Sequence, residues 1–214
     1  MQISIKTNFP EVQRKLDALQ RDVRDRAMAS ALNKTIDLAK TQMTREIAGE
    51  FNVSAGYVRD RLRVRRASAR GAVVLSASLI GGKAGAKRSA NIIAFVEKKT
   101  SLAQARKRAK AGTLGQLYVK VKRRGGSKAL GDLRFIGNKG RTVFERVEGT
   151  QMASRPGKLT KHSQAIRPVQ VIDVAQMFNT RRINATVVAF MRQRFPEVFA
   201  REAKFFTDRF NRGA

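Results

Sequence analysis

The stretch EVQRKLDALQRDVRDRAMASALNKTIDLAKTQMTREIAG, residues 11–49, decides the fold. Its apolar positions are Val12, Leu16, Leu19, Val23, Ala27, Ala31, Leu32, Ile36, Ala39, Met43 and Ile47, almost all in steps of three or four. That period is one face of an α-helix. Pro10 stands where a helix can begin, because the N–H it lacks would be unpaired there in any case. Gly49 marks the expected stop. An unbroken helix over 11–48 would be about 57 Å long, nearly twice the width of a small domain. Either it bends, or part of its face meets another chain.

On its N-terminal side, MQISIKTNF (1–9) alternates in polarity and predicts a short strand. On its C-terminal side, FNVSAGYVRD (51–60) predicts a second, short helix with Ser54 as N-cap and Tyr57, Val58 and Leu62 on its apolar face. Short β-like runs follow at 62–68, 72–80 and 91–97, with a Gly/Lys-rich connection at 81–90. LYVKVKR (117–123) alternates as a strand and is expected to face RFIGNKGRTVFERV (134–147), whose Gly137–Gly140 centre suits a hairpin turn. After a polar connector the helical period returns at Ile172, Ala175, Phe178, Ala185, Val188, Met191 and Phe195, with an interruption or kink expected at Pro196. A Phe-rich stripe then runs to the C-terminus and is expected to pack on the long N-terminal helix.

The fold class is therefore α+β, helices from both chain ends bracketing a small antiparallel β region with long basic loops. One composite domain is expected: 1–60 strand and helices, 61–149 basic β region, 150–171 irregular connector, and 172–214 C-terminal helices. No internal repeat is present.

Charge narrows the function. The 214 residues carry 45 Lys+Arg against 16 Asp+Glu, a formal net charge of +29. Spread over the surface of an average globule of this mass, that is about one uncompensated positive charge per 340 Å². Such a surface calls for an acidic partner. Much of the surplus lies in two places. One is Arg59, Arg61, Arg63, Arg65 and Arg66, where alternation over 61–65 would put three arginines on one strand face about 6.6–7 Å apart, near the phosphate spacing of a nucleic-acid strand. The other is 98–131, with eleven bases and no acid, including Arg106, Lys107, Arg108, Lys110, Lys120, Lys122, Arg123 and Arg124. These thirteen residues are the candidate contacts for sequence-independent binding of nucleic acid or of an acidic protein. Zinc-finger spacing, RNP aromatics and basic-zipper heptads are all absent, so base-specific readout has no support.

Catalysis has none either. Cys is absent and His162 is the single histidine, without a neighbouring carboxylate to orient it. No P-loop, no GxGxxG after a strand and no HExxH is present. We therefore expect no catalytic residue, no cofactor and no metal. The zero Cys count fits a reducing compartment. No run of 18 apolar residues and no secretory leader is visible, so a membrane partner is not expected.

AMASALNKTIDLAKTQMTREIAGEFNVSAGYVRDRLRVRRAS (27–68) resembles the N-terminal half of the phage minor tail protein Z family, also called tail completion proteins. The shared features are an Ala-rich helix with a central Asn (Ala31, Asn33, Ala39), a short helix with Val53, Val58, Arg59 and Arg61, and a basic strand. FIGNKGRTVFERVEG (135–149) and IRPVQVIDVAQMF (166–178) are similar to the family's hairpin and its lead-in to the last helix, and MRQRFPEVFAREAKFFTDRF (191–210) to its terminal segment. The stretch 98–131 departs from the family in length and regularity. The resemblance implies a non-enzymatic virion component, assembled in the host bacterial cytoplasm and acting in tail completion at the head-proximal end and in head–tail joining. Its implied partners are tail-tube, tail-terminator or neck proteins; the basic surplus adds DNA as an expected, non-specific partner, and the excess length of the helical stripe adds an expected homo-oligomer, such as a ring. Two alternatives stay open on the residues alone: a host-type ribosomal or nucleoid-associated protein, and a purely structural adaptor docking on acidic head or tail proteins.

Overall fold

A computed structural model describes residues 2–4, 21–68, 76–81, 89–97, 117–131, 133–138, 141–152 and 163–213. The chain forms two compact units, Met1–Ala48 with Ser54–Ala86 and Val174–Ala214, and Gly49–Val53 with Lys87–Asp173.

In the first unit, α1 spans Arg21–Glu50, about 45 Å of helix. The expected stripe is the buried one: Val23, Ala27, Ala31, Leu32, Ile36, Ala39, Met43 and Ile47 are all buried. The first part of the predicted helix, 11–20, lies outside the described residues. Helix α2 (Ala55–Arg59) starts as its sequence demands, the Ser54 hydroxyl accepting from the Tyr57 N–H at 3.2 Å, with Val58 on the buried side. Strands β1 (Gln2–Ser4), β2 (Leu62–Arg65) and β3 (Ser78–Gly81) make an antiparallel sheet in the order β1-β3-β2.

Two helices complete this unit, α3 (Val174–Phe178) and α4 (Arg181–Gly213). A single C-terminal stripe beginning at Ile172 was the expectation. Instead a turn intervenes, with the Asn179 and Thr180 N–H groups donating to Gln176 and Met177 carbonyls at 3.1 Å each. That turn resets the helical phase. Ile183 and Val187 are buried in place of Ala185 and Val188, and the stripe continues through Met191, Phe195, Val198 and Phe199. Pro196 lies inside α4 without ending it. The Phe195 and Phe199 rings, one turn apart, stack at 6.2 Å. Gly81 at the end of β3 is what lets α3 seat: a Cβ there would stand 3.0 Å from Phe178 Cβ and Cγ, atoms close to the backbone and unable to swing away.

α4 packs on α1 as expected, and a carboxylate marks the contact. Glu202, buried on α4, accepts from Ser30 Oγ at 2.8 Å and Lys34 Nζ at 2.7 Å, both on α1. Burial alone would raise its pKa. The hydrogen bonds from Lys34 and Ser30 and the charges of Lys34 and Arg201 outweigh that and hold it below the ordinary glutamate value.

The second unit is built of small antiparallel pairings. β4 (Ser89–Asn91) pairs with β10 (Gln170–Ile172), β5 (Tyr118–Val119) with β6 (Lys128–Ala129), and β7 (Arg134–Gly137), β8 (Thr142–Gln151) and β9 (Gln164–Pro168) form a sheet in that order. Its apolar core includes Phe51, Ile92, Phe95, Val96, Val119, Leu130 and Val143. The β7–β8 hairpin turns where the Gly137–Gly140 centre placed it, with Asn138 at φ 49°, a left-handed conformation that Asn tolerates.

Three local expectations change. Residues 91–97 are not a strand throughout. After Asn91 the chain enters a 3₁₀ turn at Ile92–Phe95, because the Asn91 side chain caps the Ile93 N–H at 3.1 Å. LYVKVKR does not face 134–147; its Tyr118–Val119 pairs with Lys128–Ala129, since a turn over Lys122–Gly125 closes a nearer hairpin. Within 150–171, β9 and β10 are regular strands.

Two measurements check this packing. Gly81→Ala should lower unfolding free energy by about 1–3 kcal/mol in urea, the cost of overpacking against a ring that cannot retreat. Glu202→Gln should cost about 1–3 kcal/mol at neutral pH, the worth of hydrogen bonds to a charged acceptor. Because the folded pKa of Glu202 is depressed, its contribution is full above the unfolded value of about 4.3 and is lost as pH falls through the folded value. The gap between wild type and variant should therefore narrow only below about pH 4.3.

Candidate nucleic-acid interface

The first basic patch rests on β2. This is an edge strand whose register with β3 pairs Arg63 with Ile80 and Arg65 with Ser78. Along it Leu62 is buried and Val64 half-buried, while Arg63 and Arg65 are exposed. The alternation thus puts two arginines on one outward face, about 7 Å apart. The expected third, Arg61, is engaged elsewhere. Its guanidinium lies 3.6 Å over the Tyr57 ring and Nη1 donates to the Tyr57 carbonyl at 3.3 Å. Arg59 is exposed in the last turn of α2. Arg66 is held to α1, Nη2 lying 3.1 Å and 2.9 Å from the two carboxylate oxygens of Asp37.

Asn33 is the positioning residue that reading for charge overlooks. From the middle of α1 its Nδ2 donates to the Ala67 carbonyl at 3.0 Å and its Oδ1 accepts from the Ala67 N–H at 2.8 Å. One side-chain amide thus acts as a strand neighbour for the residue just past β2 and fixes where the arginine edge ends. A poor helix former on the half-buried side of a long helix was the available signal. The second unit uses the same device: Asn91 donates to the Val143 carbonyl at 3.0 Å and accepts from its N–H at 2.8 Å.

The second patch sits on the β5–β6 hairpin. Arg123 and Arg124 are exposed at its tip, where the Gly125 N–H donates to the Lys122 carbonyl at 3.0 Å. Lys120 is half-buried and its N–H donates to the Phe95 carbonyl at 3.0 Å. Lys122 Nζ is 3.7 Å from Glu50 Oε1, and the Arg123 N–H donates to the Glu50 carbonyl at 2.9 Å. Ser127 donates to Glu97 at 2.6 Å. Arg106, Lys107, Arg108 and Lys110 lie outside the described residues, as does His162. Each patch belongs to its own compact unit: Arg59–Arg66 to the first, Lys120–Arg124 to the second.

Elsewhere in the second unit Glu145 on β8 is bracketed by Arg134 of β7 at 2.6 Å and Arg167 of β9 at 2.8 Å. The Arg167 hydrogen bond, helped by the Arg134 charge and working against partial burial, holds its carboxyl below the ordinary range. Among the described residues no group of three His, Cys, Asp or Glu is placed to hold a metal, and no helix is long and apolar enough to cross a membrane.

Small antiparallel sheets and paired helices thus present exposed arginines on two separate patches, while Asp37, Glu145 and Glu202 are tied into ion pairs. The chain belongs to the prophage minor tail protein Z family, whose model matches residues 10–207, nearly its whole length. It is a structural protein of the phage tail and a virion-associated one. No curated protein and no solved structure matches the chain.

Asn33→Ala should cost about 1–3 kcal/mol, because it strands the N–H and carbonyl of Ala67, which is 9% exposed. Hydrogen exchange should locate the effect, with the Ala67 amide exchanging faster than in wild type while the core of α1 stays protected. Unchanged exchange at Ala67 would show that the amide clamp does not hold this edge.

Proposed function

We propose that the chain acts late in tail assembly at the head-proximal end, completing the tail and joining it to a DNA-filled head. There it contacts the DNA end without regard to sequence and works as a homo-oligomeric ring against tail-tube, tail-terminator or neck proteins. The observation that carries this reading is the pair Arg63 and Arg65, exposed on one face of an edge strand at a spacing that suits consecutive phosphates. The exposed Arg123 and Arg124 of the hairpin tip supply a second contact of the same chemistry. Membership of a minor tail family supports the assembly setting, and the net charge of +29 supports DNA over an uncharged neighbour. A ring of such subunits would line a lumen with these arginines, which suits passage of a polyanion.

Duplex DNA titrated at two salt concentrations tests the reading. With 6–10 phosphates neutralised, affinity should fall about 10³–10⁵-fold between 50 and 200 mM salt. Arg63→Glu with Arg65→Glu should weaken binding at low salt and reduce the salt slope by about 2, one per lost phosphate contact, without unfolding the chain. Arg66→Glu should instead lower stability, because it faces Asp37. A flat salt response, or no binding at low salt, overturns DNA contact. A lone monomer that stays monomeric with tail-tube protein overturns the assembly role.

A further inference from the structure

A groove of about 470 Å³ runs between α1 and α4 in the first unit, away from the β2 arginines in its lining. Ser30 and Lys34 meet Glu202, while Leu38 to Arg45 lie opposite Arg201 back to Phe190, so the two helices pass antiparallel. The floor is apolar, built from Leu38, Phe190 and Val198. Leu38 is 41% exposed there, a large aliphatic side chain left open on a helix whose other face is core. The rim is cationic, with Arg45, Arg194 and Arg201 all exposed. Arg194 pairs with Glu197 at 2.8 Å, the single acid of the lining, and its guanidinium stands 6.0 Å from the Phe190 ring. Apolar floor and surplus arginine together fit an amphipathic ligand that brings both hydrocarbon and carboxylates.

We propose that this groove docks an acidic, amphipathic helical segment of another protein. Its apolar side chains would cover Leu38, Phe190 and Val198, and its carboxylates would meet Arg45, Arg194 and Arg201. The lining stripe on α4, Phe190 to Arg201, covers about three helical turns, so a segment of that length fills it. A second copy of this chain is the poorer occupant. It has only 16 acids against 45 bases, and Glu202, Asp37 and Glu145 are already committed to cations of their own unit. DNA would answer the arginines but leave the apolar floor uncovered. The inference rests on the tail-assembly reading only for the partner's source, a head or tail protein, and it requires no DNA contact.

The test uses the full chain and a fluorescent synthetic helix of about three turns, Glu on one face and Leu on the other, read by anisotropy. The wild type is compared with Leu38→Glu/Arg45→Glu, both exposed positions, and with Arg63→Glu/Arg65→Glu on the other patch. Circular dichroism confirms that each variant is folded. Peptide affinity should drop at least about tenfold in the groove variant and by much less in the β2 variant, as expected when an anchor and its charge partner are removed together. Replacing every Leu of the peptide by Ser, at constant charge, should cost at least about tenfold as well. Equal binding by wild type and groove variant overturns the proposal, as does equal binding of the Leu and Ser peptides, which would mean diffuse charge alone. Duplex DNA titrated in parallel separates the two readings. If the groove variant loses DNA and not peptide, the face serves nucleic acid and the docking proposal fails while DNA contact stands. If DNA binds nowhere and the peptide binds the groove, the DNA contact fails and the docking site stands.

Discussion

The structure depends on how few carboxylates must organise so many cations. Sixteen acids serve 45 bases, and the ones that are well placed join elements that are distant in the chain. Glu202 ties α4 to Ser30 and Lys34 of α1 across 172 and 168 residues of sequence. Asp37 ties the end of β2 to α1 through Arg66. Glu145 receives Arg134 and Arg167, so one side chain on the central strand holds both flanking strands. Each of these pairs satisfies a cation that would otherwise repel its neighbours. The bases left on the surface are then not a uniform halo. Among the described residues, exposed arginines gather on the β2 edge, the β5–β6 tip and the α1–α4 groove.

The same economy explains why the two depressed glutamates matter. A carboxylate taken out of water is stabilised only if its partners follow it in, and both Glu202 and Glu145 have more than one. On α1, Lys34 and Ser30 one turn apart both donate to the single carboxylate of Glu202, which ties one point of α4 to one point of α1. Neutral amides do the same work where no charge is available. Asn33 and Asn91 each clamp both backbone groups of one distant residue, in separate units, by the same two-bond geometry. The segment just past the arginine-bearing edge strand is thereby held by a neutral amide as well as by the Arg66–Asp37 pair.

For a tail protein this division has a functional logic. Exposed arginine on a fixed strand presents charge at a set spacing, whereas the groove between helices presents charge around an apolar floor. The first surface suits a partner whose charge repeats along a backbone, the second a partner with a folded side.

Much of this was legible in the residues. The stripe from Val23 to Ile47, the Ser54 cap, the turn at 138–141 and the location of the basic surplus all follow from local chemistry, because period, capping and charge are properties of a few neighbouring positions. The order of segments carried the family resemblance for the same reason. Tertiary structure alone decided the rest. The turn at Asn179–Thr180 moved the buried face of α4 to Ile183 and Val187, since helical phase has meaning only within one uninterrupted element. Asn91 converted an apolar run into a 3₁₀ turn, and the Lys122–Gly125 turn took 117–123 away from its expected neighbour. Of the five clustered arginines, contact with Tyr57 engaged Arg61 and contact with Asp37 engaged Arg66. Composition sets how much charge is left over; which cations are neutralised depends on distances between residues far apart in sequence, and only packing sets those.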